Sequence, residues 1–463
     1  MGARPAIPPK RTDASVRQAT GTTVIRTFRH PARLLPLAFL LAISLGTALL
    51  MLPAARPGPE GATLLTAAFT ATSAVTVTGL AVQDTGTYWS GFGQGVIVLL
   101  AQAGGLGIMS GATLLALLVT RRLSLGTRLL AQAEVRVVAL GDVRAVLRLI
   151  LAMVLCVEVV TAGLLALRLR FGHGVAWGEA LWSGAFHAVG AFNNAGFSLY
   201  PDGLTRFAQD PLVLGPLALA VIIGSLGFPV AAELLRRPRR LSLHSRLTLW
   251  GTAGLLLLGT VGVLAFEWGN PRTLGGLEAG HRVFGAVFHA AMTRSGGFNA
   301  IDIGQMSQGS LALSCLLMLI GGGSAGTGGG IRVTTFLVLG LIVWAEVRGD
   351  PDVSAFHRRI PPDLQRQALT VATLAMLVVV VATLAMLALT DRPAGVLLFE
   401  VISAFATVGL STGITGNLPP AAQWLLMLLM FIGRVGTVTV VTALALRSAR
   451  RLYRFPEERP IIG

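Results

Sequence analysis

Four short stretches of this 463-residue chain end in glycine and have matching surroundings: Val77-Thr78-Gly79, Asn194-Ala195-Gly196, Ser295-Gly296-Gly297 and Thr407-Val408-Gly409. None contains a carboxylate, a thiol or an imidazole, so the chemistry on offer is that of backbone carbonyl oxygens. Stripping water from a bare monovalent cation costs tens of kcal/mol in a medium of low dielectric, and oxygens must replace the lost hydration. Carbonyls do this without fixed negative charge that would trap the ion. Aiming consecutive carbonyls at one axis needs unusual backbone angles and no crowding side chain, and glycine supplies both. A lone glycine in an apolar helix is ordinarily a packing residue. Here each one follows a phenylalanine (Phe69, Phe186, Phe288, Phe399) by ten residues, or nine in the third copy, and precedes Leu or Phe. The glycines lie 117, 101 and 112 residues apart, the mark of an internal repeat. The absence of acidic residues points to a carbonyl filter for potassium rather than the acidic ring of a divalent-cation channel.

A second constellation is the run Gly321, Gly322, Gly323, Ser324, Ala325, Gly326, Thr327, Gly328, Gly329, Gly330, followed by Ile331 and Arg332. It lacks the Gly-Lys-Ser/Thr ending and the preceding strand of a phosphate-binding loop. It interrupts the apolar segment 311–343, which is too long for one simple span. Two readings remain: a glycine-rich helix break, or a flexible intramembrane loop lying across the path beneath the filter, which we favour. Arg434 lies within the last apolar span, where a charge must face the bundle interior or a cavity. It is expected either to act electrostatically near the gate or to pair with a carboxylate such as Glu400. His187 and His289 occupy matching places before the second and third glycines, where packing and hydrogen bonding are expected. Glu60, Glu179 and Glu278 stand near the starts of three short pre-glycine helices, favourable positions for an anion. An outer cation-attracting ring is the alternative. Cys156 and Cys315, each inside an apolar segment, read as packing residues rather than a disulfide or metal pair.

The elements that position these residues follow from hydropathy. Fifty-three per cent of the chain is apolar and 13% charged, and runs such as 34–52, 149–167, 247–266 and 369–389 reach the length that crosses a bilayer. Before each glycine motif comes one such run and a semi-polar stretch too short to cross; after it comes a second run. Irregular backbone at membrane depth is tolerated only where protein buries it or a watery cavity abuts it, so the four loops must share an axis. The expected architecture is an all-α membrane protein of four helix–half-helix–helix repeats, with eight transmembrane helices and four pore half-helices in pseudo-fourfold arrangement. The boundaries are a cytoplasmic arm at 1–32, repeats at 33–120, 142–240, 244–348 (with a gate loop at 321–335) and 364–448, and a tail at 449–463. The net charge of +16 comes almost wholly from arginines, most of them clustered at the N-terminal arm, 121–148, 236–246, 348–366 and the tail. Those clusters follow every second span, which places both termini in the cytoplasm and suits anionic lipid headgroups. With no basic, aromatic-interleaved soluble domain, nucleic acid is excluded as a partner.

These motifs resemble the TrkH/KtrB family of potassium transporters, most specifically through residues 74–80, 191–197, 294–299 and 403–412, extended by 321–335 and 431–436. A single spanning run before the first loop makes the chain more similar to the KtrB branch. The resemblance implies four M1–P–M2 units around a pore, with the four triplets binding K⁺ through backbone carbonyls. It implies that 321–330 with Arg332 forms the gate and that Arg434 is the family's arginine beneath the filter. It also implies a homodimer in the plasma (inner) membrane, docked on a cytosolic KtrA-like ring of RCK subunits that carry ATP or ADP. No organic cofactor is expected on this chain, and Na⁺ dependence is left open. Two departures bear on ion preference and gating: Ser295-Gly296 where the family has Thr-Ala, and Arg332 where Lys is common. The competing reading is a sodium-coupled secondary transporter of a small solute, motivated by the break at 321–330; that class shows two inverted halves rather than four like-oriented quarters. No nucleophile–base pair or metal-ligand cluster supports an enzyme.

Overall fold

The computed structural model describes residues 31–58, 61–121, 143–236 and 241–436. Glu60, most of the N-terminal arm, the basic segment around 121–142 and the C-terminal tail lie outside the described residues. Among the described residues the regular structure is helical, save for a hairpin of two short strands, β1 (Ser354–Ala355) and β2 (Arg358–Arg359).

Long outer helices carry the apolar mass: α1 (Pro31–Leu50), α4 (Val143–His173), α8 (Leu243–Glu267) and α12 (Pro362–Leu389). The last three are each long and apolar enough to cross a bilayer. Their outward faces expose large aliphatics, such as Leu155 and Val159 on α4, Leu257 and Val261 on α8, and Leu377 and Val381 on α12. Water would not tolerate so much contiguous apolar surface; lipid does.

Behind each outer helix sits a shorter one: α2 (Leu64–Val75), α5 (Trp177–Asn193), α9 (Ala279–Met292) and α13 (Ala394–Phe405). At 12 to 17 residues they fall short of a span. Their C-terminal halves are buried and unusually polar for a core, with Thr72, Ser73, His187, Asn193, His289 and Ser403 all inside. Glu179 falls in the first turn of α5. Glu278 precedes α9, where its exposed side chain makes no capping bond and lies 3.8 Å from His281.

The inner helices differ from one another. In the first unit α3 (Gly91–Arg121) runs unbroken. In the second, α6 (Pro211–Leu226) and α7 (Phe228–Arg236) meet at 101° across Gly227, whose φ is +91°. In the third, α10 (Gln308–Leu319) and α11 (Val333–Arg348) flank the glycine-rich segment. In the fourth, α14 (Pro420–Phe431) passes into a π-helical turn at Ile432–Gly436 that holds Arg434. The glycine-rich segment is thus not the sole interruption. The Gly227 bend went unread in the sequence because one glycine before Phe-Pro has no low-complexity signal.

The two interruptions complete each other. Breaking α6 leaves its last carbonyls without intrahelical donors. The Gly323 N–H donates to Ser225 O at 2.7 Å and the Thr327 N–H to Gly224 O at 3.1 Å. A Cβ on Gly227 would lie 2.5 Å from Ser324 O, so only glycine leaves space for this docking.

On the outer side, Asp210 caps α6 through the Leu212 N–H and ties it to α4 by an ion pair with Arg168 and a hydrogen bond with His173, both 2.8 Å. Burial works against the charge on Asp210, but hydrogen bonds from His173, Arg168 and Leu212 outweigh it and hold the carboxyl below its usual range. A depressed carboxyl pKa contributes stability above the unfolded value of about 3.9, and that stability is lost as pH falls through the folded value. Asp210→Asn is therefore expected to lower the melting temperature of the detergent-solubilised protein by a few degrees at neutral pH. The difference should vanish in strongly acidic buffer; a pH-independent difference would mean that packing, not charge, is what Asp210 supplies.

Candidate functional site: a ring of glycine-centred loops

Each half-helix ends by handing its chain to one of the four glycine triplets, and all four leave with the same backbone signature. The first and third residues of every triplet are left-handed. The φ values are 56° and 92° at Val77 and Gly79, 62° and 58° at Asn194 and Gly196, 81° and 75° at Ser295 and Gly297, and 48° and 94° at Thr407 and Gly409. A non-glycine residue there costs on the order of 1 kcal/mol, so four such residues in register constitute stored strain at one place.

The third copy's missing residue has a local explanation. In the other three, the middle triplet amide reaches back five residues: Thr78 to Ser73 O, Ala195 to Gly190 O, Val408 to Ser403 O. In the third, the Gly296 amide reaches back only four, to Met292 O. The deletion is absorbed in the exit turn of α9, and the triplet keeps its conformation.

The triplets adjoin in a closed cycle. A Cβ built on Gly79 would lie under 3.0 Å from Ala195 O, on Gly196 from Gly297 Cα, on Gly297 from Val408 O, and on Gly409 from Thr78 O. Each glycine is thus required by the next strand. Within this ring, ten of the twelve amides donate back toward their own half-helices, to backbone carbonyls or, for Gly79 and Gly409, to the hydroxyls of Ser73 (3.0 Å) and Ser403 (3.2 Å). Of the twelve triplet carbonyls, only Thr407 O accepts a hydrogen bond among the described residues. Buried backbone carbonyls are almost always paired, so eleven bare ones in one ring form an oxygen-rich site awaiting a ligand.

The half-helices also brace the strands beyond the triplets. The His187 Nδ1–H meets Ser183 O at 2.8 Å, while its Nε2 accepts the Leu199 N–H at 3.4 Å. His289 Nε2 pairs with Ser314 Oγ at 3.0 Å. Both histidines make the hydrogen bonds expected of them. Glu400, at the corresponding place in α13, accepts from Ser411 Oγ, the Thr412 N–H and Thr415 Oγ1, each at 2.8 Å. Its carboxylate is therefore engaged by the strand after the fourth triplet and does not pair with Arg434. Behind the second triplet, Asn193 Nδ2 donates to Glu158 Oε1 at 3.1 Å and to Gln102 Oε1 at 2.6 Å. Glu158, inside α4, carries no short-range motif and was missed in the sequence. Ser73 and Ser403 were missed too, though their shared six-residue offset from Gly79 and Gly409 was a usable signal.

Residues 321–330 form a buried lobe directly below, closed at its neck by an Ile320–Ile331 bridge. Three arginines, the buried Arg294 and Arg434 and the half-buried Arg332, hold it by its carbonyls. Arg294 donates to Gly321 O at 3.3 Å, Arg332 to Gly323 O at 3.1 Å and to Gly328 O, and Arg434 to Thr327 O. None of the three has a carboxylate partner among the described residues. Of the two roles open to Arg434, the geometry takes the one at the loop. Arg294 opens the 294–299 motif, but its contact with the loop is not legible in the sequence, because its partner lies 27 residues away. A Cβ on Gly329 would fall under 3.0 Å from Thr407 Oγ1 and Ala406 O, which puts the lobe against the inner end of the ring.

No group of three or more His, Cys, Asp or Glu among the described residues is placed to hold a metal, and both cysteines are free thiols, Cys156 exposed and Cys315 buried. The donor set is one of neutral oxygens.

Residues 26–451 match the TrkH family of cation transport proteins. The Ktr system potassium uptake protein B of Bacillus subtilis is 37% identical over 94% of this chain and 97% of its own length. The protein of the same name from Vibrio alginolyticus is 36% identical over 93% and 94%. The potassium/sodium uptake protein NtpJ of Enterococcus hirae is 33% identical over 95% and 98%. In fold, the chain is similar to the crystal structure of the potassium transporter TrkH from Vibrio parahaemolyticus, with a TM-score of 0.67 at 15% identity, covering 95% of this chain and 87% of that one. With its family match running nearly end to end and a helical membrane architecture, the chain belongs to the TrkH family of cation transport proteins.

Proposed function

We propose that this protein is the potassium-selective translocating subunit of an uptake system, passing ions through the four-triplet ring. The observation that carries the reading is the set of eleven triplet carbonyls without donors among the described residues, in strands where ten of the twelve amides are already satisfied. Oxygens so arranged replace a cation's hydration without binding it irreversibly. The names of the relatives as potassium uptake proteins point the same way.

In this reading the four units are M1–P–M2 repeats around one pore, and the glycine-rich lobe is its gate. The arginines above and beside the lobe repel cations while it is in place. The protein sits in the plasma membrane with both termini cytoplasmic, works as a homodimer and is opened by a cytosolic RCK ring that binds ATP or ADP. A relative named as a potassium/sodium uptake protein supports testing Na⁺ as a second ion.

Expression in cells stripped of their own potassium uptake systems should restore growth at low potassium and rubidium uptake that potassium competes away. Protein present in the membrane with neither effect would sink the reading. A solute-driven current in liposomes without potassium would favour a coupled solute carrier instead.

A further inference from the structure

Among the described residues, one hydrogen-bonded link joins the lobe to the triplets, and it passes through a single hydroxyl. Ser295 Oγ accepts the Gly329 N–H at 2.9 Å and donates to Thr407 O, also at 2.9 Å. Chemistry fixes the direction of both bonds: an amide N–H can only donate and a carbonyl can only accept. All three groups are fully buried or nearly so; Ser295 and Thr407 have no exposure at all. The corresponding first positions in the other triplets are Val77, Asn194 and Thr407 itself, and none of these bonds to the lobe.

The consequence concerns the innermost oxygens of the ring. Among the described residues Thr407 O is the sole triplet carbonyl that accepts a hydrogen bond, and its donor is held in that orientation by the lobe. While Gly329 donates to the Ser295 oxygen, the hydroxyl proton has one good acceptor within reach, and it occupies a lone pair that would otherwise face a cation. Thr407 Oγ1, buried and without a partner among the described residues, lies beside the same point of the lobe. Removing the lobe breaks the Gly329 bond, frees the Ser295 rotor and releases both the serine oxygen and Thr407 O.

We infer that Ser295 is a positioning residue that couples the lobe to the inner end of the filter, so that the innermost potassium site is complete only when the lobe has moved away. Gate position and inner-site affinity are then one equilibrium. This rests on the potassium-conducting reading above.

The test uses the full chain in liposomes of phosphatidylethanolamine and phosphatidylglycerol, with rubidium uptake and the potassium concentration that half-competes it as readouts. Ser295→Ala should raise basal uptake about five- to tenfold, the effect of one lost buried hydrogen bond on a two-state equilibrium. It should also lower the half-competing potassium concentration several-fold, because Thr407 O is freed and the lobe no longer withholds the inner site. Ser295→Thr, which keeps the hydroxyl, should restore both. Gly329→Ala pushes the lobe off from its own side and should raise basal uptake; adding Ser295→Ala to it should raise uptake no further. The inference is overturned if Ser295→Ala matches the wild type in both readouts, if Ser295→Thr behaves like the alanine variant, or if the two substitutions act additively. Wild-type uptake with an unresponsive Ser295 sinks this inference alone; absence of uptake from the wild type and every variant sinks the conducting reading with it.

Discussion

Gly79→Ser and Gly409→Ser should each turn a potassium-selective path into a weakly selective one. Both glycines hold left-handed backbone, at φ of 92° and 94°, where a side chain costs about 1–2 kcal/mol. Both also face a neighbouring strand so closely that a Cβ would lie under 3.0 Å from Ala195 O or Thr78 O. Backbone, unlike a flexible side chain, cannot turn aside, so the two strands must separate. The oxygen cage loses its fit, and potassium-over-sodium discrimination should fall by about 10- to 100-fold, each factor of ten being about 1.4 kcal/mol. Gly413→Ser separates strain from packing: φ there is 89°, but nothing lies within 4 Å of the added carbon. Competition of sodium against rubidium uptake reads all three. Unchanged selectivity in both filter variants would remove these glycines from the ion path, and a loss in Gly413→Ser as large as theirs would assign the effect to strain alone.

Arg434→Ala should raise basal potassium flux by about tenfold or more. The residue is 2% exposed, has two nitrogens without partners among the described residues and donates to Thr327 O in the lobe. A hydrogen bond from a charged donor is worth about 1.5–3 kcal/mol, and losing it shifts the lobe's equilibrium outward by roughly that amount. A positive charge beneath a cation site also repels the next ion, and its removal acts in the same direction. Arg434→Lys keeps the charge but not the planar fork, so its flux should fall between the two. Potassium efflux from loaded vesicles is the measurement. A flux in Arg434→Ala below that of the wild type would mean that the arginine supports the open path rather than the closed one.

Much of this was legible in the sequence because it depends on local chain chemistry. The spans declare themselves by length and apolarity, and α4, α8 and α12 lie where the hydropathy puts them. The triplets declare themselves by repetition: Phe, then Gly ten or nine positions on. The glycine-rich lobe stood out by composition. What failed to show were residues whose meaning depends on a partner far along the chain. Arg294 looks like a stray charge until Gly321 O is seen beside it, and Glu158 until Asn193 and Gln102 are. Gly227 is one glycine among 56, and only the docking of Ser324 against it explains the bend.

Ser295 shows the boundary most clearly. As a residue type it departs from the family pattern, and the sequence marks the departure without assigning it a role. The structure places its hydroxyl between a carbonyl 112 residues away and an amide 34 residues away. By itself, then, the sequence determined the solvent, the count of glycine loops and the neutral oxygens they offer, because hydropathy and backbone freedom are properties of short segments. Tertiary structure alone decided which carbonyls stay bare, which arginines hold the lobe and how the lobe touches the ring. Those depend on hydrogen-bond partners, and in a bundle of helices the partners are set by packing rather than by distance along the chain.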